Sequence, residues 1–116
     1  MNTFSIILAS FLAAQAAPVH RPGLASIDDA ARGGIRDWHA EDDRGIYLRD
    51  RTNRWYYAAF RHNCPGVLYD QRIAFRTSAS NRFDRQSLVQ TETETCAVES
   101  VDRSDAPEAK GGRAAN

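Results

Sequence analysis

The alternation of apolar and polar side chains is clearest between residues 45 and 61. In "GIYLR" (45–49) Ile46 and Leu48 alternate with Tyr47 and Arg49, the period-two pattern of a strand with one buried face. "DRTN" (50–53) is turn material, and "RWYYAAFR" (54–61) follows with the aromatics Trp55, Tyr56 and Tyr57 in a row. Aromatic side chains fit a pleated, half-buried surface, so the two runs predict a β-hairpin. A helix over 54–61 is the competing assignment, because Ala58 and Ala59 are helix formers. Ile35 to His39 is expected as a short strand. Downstream, "RIAFRT" (72–77) sets Ile73 and Phe75 on one face, and "SASN" (78–81) is loop. "SLVQT" (87–91) and "CAVESV" (96–101) read as a final hairpin. Ahead of all these, Ser26 is placed to cap a short helix, with Asp28 and Asp29 in its first turn and Gly33-Gly34 ending it. The expected fold is mainly β: a small antiparallel sheet or open barrel with one short N-terminal helix, stapled by one disulfide.

The two ends of the chain bound the domain. Phe4 to Ala14 is an apolar run of secretory h-region length, too short to span a bilayer, and Ala14-Gln15-Ala16 offers the small residues that signal peptidase reads. The residues before it carry no Lys or Arg. A buried apolar helix of the mature fold is the alternative, but Ile6, Ile7, Leu8, Phe11 and Leu12 are not confined to one helical face, and no charge interrupts Met1 to His20. Residues 1–16 are therefore expected to be a cleaved signal peptide, 17–25 a lead-in and 26–103 the β domain. Beyond Val101 no apolar residue is bulkier than Ala or Pro, so 104–116 is expected as a disordered tail. Export to the periplasm or the medium follows, with no stable membrane span after processing.

That compartment bears on the cysteines, of which there are 2. Roughly one hundred residues remain after the leader, a chain that buries a modest core and gains from a crosslink. In an oxidising compartment Cys64 and Cys96 are most simply one disulfide, worth about 3–4 kcal/mol in the chain-entropy model. A zinc site would need four ligands, and His20, His39 and His62 with no CxxC pair do not supply them; no metal and no cofactor are expected. A Cys64 nucleophile activated by His62 would leave Cys96 without a role. Pro65-Gly66, directly after Cys64, predicts a type II turn with glycine at the positive-φ position.

The combination of "NCPGVLYDQRIAFRT", "RFDRQSLV" and "CAVESV" resembles a bacterial family of small exported two-cysteine proteins, a domain of unknown function. Cys64, Pro65, Leu68, Ile73, Phe75, Phe83, Asp84, Cys96 and Val98 carry the resemblance over residues 35–102, with Leu68 one place later than the simplest spacing. It implies an exported, disulfide-stapled domain and no particular activity.

Net charge is +0, but it is distributed in blocks. Acids dominate Ser26 to Asp43 and Gln86 to Glu108, whereas Arg44 to Arg85 holds nine arginines against Asp50, Asp70 and Asp84. Arg49, Arg51, Arg54 and Arg61, near Tyr47, Trp55 and Tyr57, form a candidate anion- or partner-binding surface. The plainer and favoured reading is that these arginines pair with the acidic flanks and keep strand edges soluble. Trp38, Trp55, Tyr56 and Phe60 are expected in the core or in cross-strand pairs. His39 with Glu41, Asp42 and Asp43 raises acid–base or cation chemistry, yet consecutive acids between strands read more simply as a solvated loop. Glu92 and Glu94 would share a face of an extended chain and so suggest paired carboxylates. The expected function is a non-catalytic envelope binding or accessory module. Its partner would be an envelope protein or an anionic polymer, with nucleic acid not the favoured one. The alternative is a small secreted hydrolase, such as a nuclease using His62 with Arg76 and Glu92 or Glu94.

Overall fold

A computed structural model describes residues 22–107. The expected signal peptide and the tail from residue 108 lie outside the described residues. The chain forms β1 (Ile27–Asp28), β2 (Ile35–His39), β3 (Gly45–Asp50), β4 (Trp55–Phe60) and a single helical turn, α1 (Gly66–Tyr69). It continues through β5 (Ala74–Arg76), β6 (Arg82–Phe83), β7 (Leu88–Gln90) and β8 (Thr95–Ser104). Six strands make one antiparallel sheet in the order β2-β3-β4-β8-β7-β5, and β1 pairs with β6 as a separate two-residue ribbon. The sheet curls around its inner face.

Period-two alternation places the core. Ile46 and Leu48 of β3, Tyr56, Ala58 and Phe60 of β4, Val89 of β7, and Val98 and Val101 of β8 are all buried on the inner face. The β1–β6 ribbon closes that core by setting Ile27 opposite Phe83, both buried, and Phe83 meets Phe75 of β5 edge-on at 5.6 Å. Tyr56 and Phe60 thus fulfil the core expectation, Trp38 packs against the core from β2, and Trp55 does not join it.

The hairpin expected over 45–61 is β3–β4, as a strand pair and not a helix, with Ile46 opposite Ala58 and Leu48 opposite Tyr56. Its turn is held by Asp50. One oxygen of that carboxylate accepts hydrogen bonds from the Thr52 N–H (2.8 Å), the Thr52 hydroxyl (2.7 Å) and the Arg54 N–H (3.0 Å). The other accepts from the Tyr56 hydroxyl at 3.3 Å. Asn53 takes the left-handed conformation (φ 70°) that closes such a loop before the ladder resumes. β7 and β8 pair as the second expected hairpin, with Val89 opposite Cys96.

The Cys64–Cys96 disulfide joins the start of α1 to β8, with a Cα–Cα distance of 6.0 Å and both cysteines buried. Such a bond points to a compartment outside the reducing cytoplasm. Among the described residues no helix is long and apolar enough to cross a membrane.

Three local expectations are corrected. The short N-terminal helix is replaced by β1 and one 3-10 turn, Ala30–Arg32. Ser26 makes no cap, because Ile27 is drawn into pairing with Phe83 and Asp29 adopts a left-handed φ of 55°. The Cys-Pro-Gly segment is not a type II turn: Pro65 is helical (φ −59°, ψ −23°), and the Val67 N–H donates to the Cys64 carbonyl at 3.2 Å as the chain enters α1. Glycine is needed at 66 for closeness, since a Cβ there would lie 2.5 Å from the Thr91 hydroxyl. Finally, β8 extends through Ser104, which pairs with Trp55, so the residues after Val101 begin as ordered strand.

Candidate binding face

The strands that bury Ile46, Leu48, Tyr56 and Ala58 must present their alternate residues on the opposite side. Register aligns these in rows across β2, β3, β4 and β8. Asp37, Arg49, Trp55 and Ser104 form one row, and His39, Tyr47, Tyr57 and Asp102 form the next. A third row holds Gly45, Ala59 and Ser100. The Tyr47 and Tyr57 rings stand 4.8 Å apart at 59°, and His39 lies 6.4 Å from Tyr47. A Cβ at Gly45 would run into the phenol of Tyr57, so glycine at that position lets the Tyr57 ring lie down on the sheet. The 22–25 segment reaches the β8 margin of this face, where the Gly23 N–H donates to the Asp102 carboxylate; the aromatics of β3 and β4 are half-buried.

The arginines expected to form one patch are divided. Arg49 sits over the Trp55 ring at 5.9 Å, lies 3.4 Å from Asp37 and donates to the Asn53 side chain at 3.1 Å. Arg51 reaches the 3-10 turn, donating to the Arg32 carbonyl (3.2 Å) beside Asp29 (4.0 Å). Arg54 is exposed at the same turn and makes no ion pair among the described residues. Arg61 lies past the far end of β4, where its N–H donates to the Ala97 carbonyl. Arg49, Arg51 and Arg54 therefore gather at one end of the hairpin, with Arg61 at the other.

The loop before β3 carries the opposite sign. Glu41 lies 3.9 Å from His39, and Asp42 both accepts the Arg44 N–H (2.9 Å) and pairs with its guanidinium (3.5 Å). Both carboxylates are felt by the tyrosines. Burial raises the Tyr47 hydroxyl pKa, and Glu41 and Asp42 raise it further. Tyr57 is raised by burial, then by Asp42 and Tyr47, with Arg44 offsetting part of the effect. The phenols remain neutral hydrogen-bonding groups at any physiological pH.

The second expected cluster lies by the disulfide and is occupied structurally. Glu94 lies close to both sulfurs, all three ligand atoms being within 4.8 Å of one another. The cysteines are already joined, and the Glu94 carboxylate accepts the Gly66 N–H at 2.8 Å. Asp70 accepts from the Thr93 N–H (3.1 Å) and hydroxyl (3.0 Å). Desolvation would raise the Asp70 carboxyl, but hydrogen bonds from Thr93, Thr91 and the Glu92 backbone outweigh it and hold the pKa below the usual value. Glu92 faces Arg72 at 3.7 Å, so Glu92 and Glu94 serve different partners. Arg76, on the β5 edge strand, donates to Gln90 at 2.8 Å, whereas His62 is exposed just after β4. The structure does not gather His62, Arg76 and the glutamates around one point.

Sequence reasoning singled out Tyr47, Trp55 and Tyr57 but missed Asp37, His39 and Asp102 as their neighbours on one face. Alternation could place each residue on its own strand; only the strand order, with β8 beside β4, brings Asp102 next to Tyr57. No curated protein and no solved structure matches the chain significantly. A family model matches residues 1–116, and on that match the chain belongs to a family of unknown function (DUF6491).

Proposed function

We propose that the protein is an exported, non-catalytic binding or accessory module of the cell envelope, with the outer face of β2, β3, β4 and the end of β8 as its contact surface. The observation that carries this reading is the double row of half-buried side chains centred on Tyr47, Arg49, Trp55 and Tyr57. Aromatic residues and arginine are the side chains that contact surfaces enrich, because each brings large area and a polar tip at small entropic cost. The face is also pre-ordered: every strand carrying it is paired, and the Asp50 network fixes the turn. Export is supported by the disulfide and by the apolar leader.

The test is retention of envelope proteins and anionic polymers on the immobilised mature chain, at low and physiological salt. A Trp55→Ser/Tyr57→Ser variant is run beside the wild type. Retention that disappears in the variant is expected; a polymer held chiefly by charge would also be lost in Arg51→Ala/Arg54→Ala and fall steeply with salt. A broad hydrolase and nuclease screen accompanies it. Turnover that vanishes in His62→Ala would replace this reading with the hydrolase one.

A further inference from the structure

We infer that Glu94, assisted by Asp70, is an electrostatic guard on the Cys64–Cys96 disulfide: it slows attack by anionic thiols and keeps the staple closed where thiol–disulfide exchange takes place. The inference is independent of what the outer face of the sheet binds.

The carboxylate is built into the staple. A Glu94 oxygen and the two sulfurs lie within 4.8 Å of one another, and Glu94 is half-buried where both cysteines are buried. Its place is fixed from three sides. The carboxylate accepts the Gly66 N–H at 2.8 Å, two residues after Cys64. The Glu94 N–H donates to the Thr91 hydroxyl oxygen at 3.0 Å, and the Glu94 carbonyl accepts the Thr91 N–H at 2.8 Å. Asp70 adds a second negative charge from the α1 side. Its carboxylate is held by the Thr93 N–H and hydroxyl, and lies 3.1 Å from where a Cβ on Gly66 would stand. A third acid, Asp43, adjoins Cys64 through its backbone, its carbonyl accepting the Cys64 N–H at 2.7 Å. Neither Glu94 nor Asp70 is in an ion pair among the described residues, and Arg72 is held by Glu92. Arg61 and His62, just before Cys64, are exposed and pair with neither carboxylate among the described residues.

Reduction of a disulfide begins when a thiolate attacks one of its sulfurs. Cys96 is the more accessible target, at 6% exposure against 0% for Cys64. A new S–S bond forms to Cys96 and the Cys64–Cys96 bond breaks. Its electron pair leaves on Cys64 as a thiolate, which takes a proton from water. A second thiolate attacks the reductant's sulfur in the mixed disulfide; Cys96 leaves, and the reductant ends as its own disulfide. In the first step one negative charge is spread over three sulfurs beside a fixed carboxylate. Like charge raises that barrier twice, by repelling an anionic attacker and by disfavouring the leaving thiolate. Thiols are mostly protonated at neutral pH, so the reduced chain is little affected by the same carboxylate. The guard is therefore kinetic: it slows opening and leaves the equilibrium almost alone.

The test follows reduction of the oxidised chain by two small thiols of similar size and opposite charge, aminoethanethiol (cationic) and mercaptoethanesulfonate (anionic). Each rate is taken at matched thiolate concentration, relative to the same thiol's rate with neutral hydroxyethyl disulfide. On that scale the wild type should react at least about tenfold more slowly with the anionic thiol than with the cationic one, and salt should narrow the gap. Glu94→Gln removes the charge and keeps an oxygen for the Gly66 N–H. It should speed the anionic thiol by roughly tenfold and the cationic thiol by less. Asp70→Asn should act in the same direction by a smaller factor. The equilibrium between the chain's disulfide and a dithiol couple should stay within about twofold of wild type in both variants. Equal relative rates for the two thiols in the wild type, or an unchanged anionic rate in Glu94→Gln, would overturn the inference. Equal acceleration of both thiols would also overturn it, because a loosened fold opens the bond to any attacker. An equilibrium shift as large as the rate change would make Glu94 a structural residue only, and would overturn it as well.

Discussion

Ile46, Leu48, Tyr56 and Ala58 on the inner side of the β3–β4 hairpin are at most 5% exposed, whereas Tyr47, Arg49, Trp55 and Tyr57, one residue away on the same strands, are half-buried. The inner set needs only apolar shape and is enclosed by β1, β6 and β8. The outer set is chemically particular: a phenol pair, an indole under a guanidinium, an imidazole, and carboxylates at the margins. Solubility asks only for scattered charges on such a face. Large aromatic rings set side by side there suit contact as well as cross-strand packing, so on the function proposed above the inner face serves stability and the outer face recognition.

Substitutions should separate them. The largest loss is expected at Phe83, which joins the β1–β6 ribbon to the core and is fully buried. Phe83→Ala should lower the unfolding free energy by about 3–5 kcal/mol, measured by denaturant titration. Next is the staple. Non-reducing mass spectrometry should find the chain two hydrogens lighter than its dithiol, and Cys64→Ala/Cys96→Ala should cost about 3–4 kcal/mol. Two free, alkylatable thiols in the native protein would contradict both the fold and a compartment outside the reducing cytoplasm.

A smaller effect is expected at Asp50. Burial would raise its carboxyl, but hydrogen bonds from Arg54, Thr52 and Tyr56 outweigh that and lower its pKa. A carboxyl lowered on folding stabilises above its unfolded pKa, about 3.9, and that contribution disappears as pH falls through the folded value. Acid titration of the wild type should therefore show stability falling below about pH 4. The slope should flatten in Asp50→Asn, and Asp70→Asn should flatten it as well. At neutral pH, Asp50→Ala should cost about 1–2 kcal/mol through the lost turn bonds. The smallest stability change belongs to the outer face. Tyr57→Ser should cost about 1 kcal/mol, the scale of a cross-strand aromatic pair.

Most of the strand framework was legible in the sequence, because alternation is a local signal. β2 spans Ile35–His39 as expected, and the β3–β4 and β7–β8 hairpins follow from apolar periodicity and turn residues. What failed was local chemistry overridden from a distance. Ser26 with Asp28 and Asp29 has the composition of a helix start, but pairing of Ile27 with Phe83 decides the backbone. Pro65-Gly66 suits a type II turn equally well, and the nearness of Thr91, twenty-five residues on, selects a helical turn instead. The candidate face was half legible. Residue types named Tyr47, Trp55 and Tyr57, whereas the order β2-β3-β4-β8 that supplies their neighbours depends on long-range pairing that periodicity does not encode.

The division between the faces is tested most directly by measuring folding and partner retention together on the Trp55→Ser/Tyr57→Ser variant. Unfolding free energy should shift by no more than a couple of cross-strand pairs allow, roughly 2 kcal/mol, while retention of envelope partners on the immobilised chain is lost. A variant destabilised as severely as Phe83→Ala, with retention unchanged, would place these aromatics in the service of the fold and contradict the account.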